Sequence, residues 1–89
     1  MQSSSSSKWQ DEQDPQTLAQ IAAQAALDSN WQEAIRITQK ILKGNQEDVE
    51  ALNRLARAQV CTGEIEKAQK TYKKVLSLDP YNIIANKNL

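Results

Sequence analysis

Few residues in this sequence could carry out covalent or metal chemistry. Cys61 is the only cysteine, and the 89 residues include no histidine. A Cys–His nucleophilic pair, an internal disulfide and a multi-cysteine zinc site are therefore impossible. Asp79 and Tyr81 flank Pro80 in a pattern typical of a helix boundary, and we find neither a carboxylate pair nor a glycine-rich phosphate loop. We predict no enzyme activity, no metal and no cofactor, and we interpret Cys61 as a partly buried structural thiol.

Charge and hydropathy limit the classes of partner. Eleven basic residues balance eleven acidic ones, whereas a nucleic-acid binder usually has a strongly basic domain. No stretch approaches the roughly 20 apolar residues of a membrane span, and residues 1–14 lack the apolar core of a signal peptide. We therefore predict no nucleic-acid partner, no membrane association and a cytoplasmic location. The serine run at Ser3–Ser7 predicts a disordered tail over residues 1–14.

An internal repeat organises the rest of the chain. A shift of 34 residues aligns the two halves without a gap, so that Leu18 falls on Leu52 and Ala34 falls on Ala68. A third copy begins at Ile83. The composition, with few aromatic residues, glycines and prolines, is typical of helices. We predict two full repeats at residues 15–48 and 49–82, followed by a truncated first helix of a third at residues 83–89.

Each repeat is predicted to contain two helices. Asp14, Asn30 and Asp48 stand where helices should begin and can cap them, whereas Gly44-Asn45 predicts a left-handed helix end. Small residues fall where the two helices of a repeat should cross, which allows a close approach of their axes. These crossing residues are Ala22 and Ala34 in the first repeat, and Ala56 and Ala68 in the second.

Residues 15–89 resemble the tetratricopeptide repeat family in the length of the unit and in its motif residues. The second repeat has the family's small, turn, aromatic and closing residues at Ala56, Gly63, Ala68, Tyr72 and Asp79-Pro80. The first repeat departs more, for example with Thr38 in place of the second-helix aromatic. The resemblance implies an all-α, right-handed α-solenoid of antiparallel helix pairs, with about five helices. It also implies a non-catalytic scaffold that binds a peptide or protein in a concave groove.

The same resemblance places groove residues on the first helix of each unit: Gln20, Ala23, Asn53, Arg54, Arg57, Lys87 and Asn88. Arg54 and Arg57 are three residues apart and share a helix face. Guanidinium groups can bind carboxylates through two parallel hydrogen bonds, so an acidic peptide or a C-terminal carboxylate is the expected partner. The lysine and asparagine clamp with which one subclass of the family binds chaperone tails is not reproduced.

Two alternatives stay open at the level of sequence. Arg54 and Arg57 are equally compatible with a solvated helix face that binds nothing. The apolar residues near the last repeat, among them Ile83, Ile84 and Leu89, also suggest a self-assembling structural element. In that case the repeat ends stack or swap into homo-oligomers, because solenoid units bury their apolar faces against neighbours.

Overall fold

The computed structural model describes residues 14–89, and the expected tail at 1–14 lies outside this part except for Asp14. The described chain is all-helical, as predicted, and its helices form antiparallel pairs stacked into a solenoid. The helices are α1 (Pro15–Leu27), α2 (Trp31–Gly44), α3 (Val49–Cys61), α4 (Ile65–Leu78) and α5 (Ile83–Asn88).

Equivalent side chains begin the first helix of each unit. In all three cases a carboxylate or amide oxygen accepts a hydrogen bond from the backbone N–H three residues later, which satisfies a donor that has no partner within the helix. Pro15 follows the first of these caps and needs no N–H of its own. The capping bonds are Thr17 N to Asp14 at 3.3 Å, Ala51 N to Asp48 at 3.1 Å and Ala85 N to Asn82 at 3.0 Å.

One helix start and one helix end differ from the sequence predictions. Asn30 precedes α2, but its side chain makes no capping hydrogen bond, and Gly44 does not have a positive φ. The left-handed residues among those described are Ser29 and Gly63, at equivalent places in the two repeats, with φ of 58° and 84°. In these turns the backbone itself satisfies the carbonyls at the end of the preceding helix; the N–H of Asn30, for example, donates to Ala25 O at 2.8 Å.

The core is divided into two clusters that share helix α3. The first cluster joins α1, α2 and Ala51 of α3, and the second joins α3, α4 and Ala85 of α5. An alanine from the next repeat therefore completes the core of each repeat. The four crossing alanines, Ala22, Ala34, Ala56 and Ala68, are at most 1% exposed. Their burial agrees with the close helix approach expected from the sequence.

Candidate functional site

The predicted groove residues lie on α1, α3 and α5, which are the first helices of successive units. On α1, Gln20 is exposed and Ala23 is half-buried. On α3, Arg54 is half-buried and Arg57 is exposed. Lys87 and Asn88 are both exposed on α5, and the Asn88 amide donates to Ile84 O of the same helix. The 34-residue period makes Lys87 the equivalent of Asn53 and Asn88 the equivalent of Arg54. The cations therefore come from different positions of two neighbouring units, Arg54 and Arg57 from one and Lys87 from the next.

The three cations among the predicted groove residues are Arg54, Arg57 and Lys87, and we call them the basic band. They have no acidic partner among residues 14–89, where the ion pairs are Glu33–Arg36 at 2.7 Å and Glu64–Lys67 at 2.9 Å. The hydrogen bond from Arg36 lowers the pKa of Glu33, and that from Lys67 lowers the pKa of Glu64. Both ion pairs lie outside helices α1, α3 and α5.

Tyr72 of α4, the family's second-helix aromatic residue in the sequence, lies in the second core cluster. It is 2% exposed, and burial raises the pKa of its phenol. The positive charge of Arg57 opposes this rise without cancelling it.

Asn53 differs from the open hydrogen-bond donor that the sequence suggested. It is only 7% exposed, and its Nδ2 donates to Asn82 Oδ1 at 3.1 Å. Asn82 is the residue that caps α5. The sequence prediction did not include Asn82 in the site, although its spacing of 34 residues from Asp48 identifies it as an N-cap position.

Apolar side chains are exposed on α1 and α3 near the turns within the repeats. Leu27 is 79% exposed at the end of α1, and Val60 is exposed near the end of α3. Cys61 is also exposed, so the expectation of a partly buried thiol is wrong. The physical reason is that Cys61 is the last residue of α3, beyond the turns that bury Leu52, Ala56 and Gln59.

No group of three or more His, Cys, Asp or Glu residues in the described part of the chain could hold a metal ion. No helix between residues 14 and 89 is long and apolar enough to span a bilayer.

The helix pairs stacked along the chain define a helical-repeat solenoid. The family model for the tetratricopeptide repeat matches residues 25–87. The chain belongs to the tetratricopeptide repeat family.

A solved structure from Bacteroides ovatus ATCC 8483, described as that of a candidate protein-binding protein, resembles this chain with a TM-score of 0.77 and 26% sequence identity. The similarity covers 82% of this chain and 36% of the other, so the chain spans about a third of that protein's length. None of the curated proteins matches this chain.

Proposed function

We propose that this chain is a non-catalytic protein-interaction module that binds an acidic segment of a partner protein in the groove along α1, α3 and α5. The basic band carries this proposal, because Arg54, Arg57 and Lys87 lie on groove helices without an acidic partner in residues 14–89. Glu50 lies four residues before Arg54, yet the two do not form an ion pair. Membership of a repeat family and the described role of the Bacteroides ovatus protein support a protein partner.

The basic band favours a carboxylate ligand for a geometric reason. Arg54 and Arg57 are one helical turn apart, so their guanidinium groups can reach the same ligand. Each can form two parallel hydrogen bonds with a carboxylate, either of an acidic side chain or of a C-terminus. The partial burial of Arg54 reduces the number of conformations that it must lose on binding. An extended acidic peptide across α3 and α5 satisfies all three cations.

A charge-reversal experiment tests this assignment. The probe is a fluorescein-labelled ten-residue peptide of alternating Glu and Ala, and binding is measured by fluorescence anisotropy at low and physiological salt. The double variant Arg54→Glu/Arg57→Glu should weaken binding at least tenfold, since each lost charge-assisted hydrogen bond contributes about 1.5–3 kcal/mol. Binding by the unchanged chain should also weaken as salt rises.

The matched control makes the same change in net charge on a different surface. Lys70→Glu/Lys74→Glu replaces two exposed lysines of α4 and leaves the groove helices intact. Its affinity for the probe should stay close to that of the unchanged chain. Equal losses of affinity in both double variants would mean that binding responds to the overall charge of the chain, not to a site in the groove. Failure of the unchanged chain to bind the acidic probe would contradict the proposal.

Self-assembly is the second candidate function, and exposed apolar side chains around α5 favour it. Tyr81 is 89% exposed and Ile83 is 80% exposed, with Ile84 and Leu89 each about half exposed. A second copy of the chain could cover this surface, because the burial of apolar area drives association. Light scattering over a range of concentrations should then show a dimer or larger species, and Ile83→Glu/Leu89→Glu should convert it to a monomer. A monomer at all concentrations contradicts this candidate.

A further inference from the structure

A hydrogen-bond network joins three helices beside the groove. Asn53 Nδ2 of α3 donates to Asn82 Oδ1 at 3.1 Å, and the same oxygen accepts the N–H of Ala85 in α5 at 3.0 Å. Asn82 Nδ2 in turn donates to Asp79 Oδ2 at 3.2 Å, immediately after α4. Asn53 and Asn82 are 29 residues apart in sequence, so their bond exists only while α5 is docked.

The preceding junction, between the first repeat and α3, has no such bond. Ala19 stands at the place equivalent to Asn53. The 13-residue helix α3 is instead held by many buried side chains, and Ala51 and Ala58 are each 1% exposed. The six-residue helix α5 has only Ala85 buried. A helix this short is unstable alone in water, so its order depends on its contacts with the rest of the chain.

We propose that Asn53 is a positioning residue of the groove, which holds α5 in place through Asn82 and so fixes the position of Lys87. Its own side chain is buried, and its Oδ1 has no hydrogen-bond partner. The amide therefore carries a desolvation cost that an alanine would not have, and its bond to Asn82 is the contact that offsets this cost. The part of the inference that concerns Lys87 rests on the proposed function, but the docking of α5 does not.

Hydrogen exchange of the full chain tests the docking of α5 without any ligand. In Asn53→Ala, the amides of Ala85, Asn86 and Leu89 should exchange about fivefold faster, which is the equilibrium effect of losing one typical hydrogen bond. Exchange in α1 and α2 should stay unchanged. Alanine is a suitable replacement because the equivalent place in the first repeat is Ala19.

A double-mutant cycle assigns the effect to the bond between the two side chains. Asn82→Ser keeps a side-chain oxygen that can cap α5 but is too short to reach Asn53. Asn53→Ala in the Asn82→Ser background should produce no further acceleration. Asn88→Ala is the matched control, because Asn88 is an exposed groove asparagine that bonds only within α5. Unchanged α5 exchange in Asn53→Ala, or equal acceleration in every helix, would overturn the inference.

Binding of the labelled Glu/Ala peptide provides a readout that a general loss of stability would not produce. In the Asn53→Ala background, Lys87→Ala should weaken binding less than it does in the unchanged chain, whereas Arg57→Ala should weaken binding equally in both. If Asn53→Ala weakens binding without changing α5 exchange, Asn53 contacts the ligand directly and the positioning role is wrong. If the peptide does not bind the unchanged chain, the proposed function fails, while the exchange experiment still decides whether Asn53 holds α5.

Discussion

The hydroxyl group of Thr38 is buried in α2 without a hydrogen-bond partner. Thr38 is 0% exposed, and its Oγ1 is one of two such side-chain atoms in residues 14–89. A buried polar group without a partner costs about 1–3 kcal/mol of folding free energy. Valine has almost the same shape and helix propensity, and it replaces the hydroxyl with a methyl group. We therefore expect Thr38→Val to raise the free energy of unfolding by about 1–2 kcal/mol.

Thr71 on α4 provides the matched control for this substitution. Its hydroxyl lies 2.9 Å from Gln59 Oε1 and 2.9 Å from Lys67 O, so it has acceptors for its proton. Thr71→Val removes this donor and leaves the amide oxygen of the buried Gln59 without its partner. The same chemical change should therefore lower the free energy of unfolding by about 1 kcal/mol.

Urea unfolding followed by circular dichroism measures both changes. For a chain of this size, a gain of 1 kcal/mol also raises the melting temperature by roughly 4–8 °C. The slope of the urea transition should be unchanged, because the surface exposed on unfolding hardly differs. If Thr38→Val lowers the stability as Thr71→Val does, the Thr38 hydroxyl makes a hydrogen bond in the folded protein, and the reasoning is refuted.

Five further substitutions test the turns, the helix crossing and the response to pH. Ser29→Gly should raise the free energy of unfolding by about 0.5–1 kcal/mol, because glycine accepts a φ of 58° without strain. Gly63→Ala should lower it by about 1 kcal/mol in the same urea assay, because the new Cβ would clash with its own backbone at a φ of 84°, although no neighbouring residue would crowd it. Ala34→Leu should cost about 1–3 kcal/mol by overpacking the α1–α2 crossing, and an unchanged melting temperature would contradict close packing there. Burial raises the pKa of Tyr72 in the folded state, so its contribution to stability is intact below about pH 10 and is lost as the pH rises through the folded-state pKa. Urea unfolding between pH 9 and 11.5 should show a loss of stability that Tyr72→Phe reduces. The control Tyr81→Phe, at an exposed tyrosine, should not reduce this loss.

The helices that carry the predicted groove residues were predictable from sequence. The 34-residue period assigns Arg54, Arg57 and Lys87 to first helices, and the structure places them on α3 and α5, with Arg54 half-buried and the other two exposed. The contact of Asn53 was not predictable in the same way. It depends on Asn82, which the packing of α5 against the preceding helices brings close and which the sequence period does not specify.

The sequence by itself determined the repeat, the number of helices, the caps at Asp14 and Asp48, and the burial of the crossing alanines. These features depend on side chains within a few residues of one another, or on an apolar period repeated along the chain. Only the tertiary structure decided that Asn53 is buried against Asn82. Burial of a polar residue is set by the distant partner that can satisfy it, and that partner is placed by the docking of a whole helix.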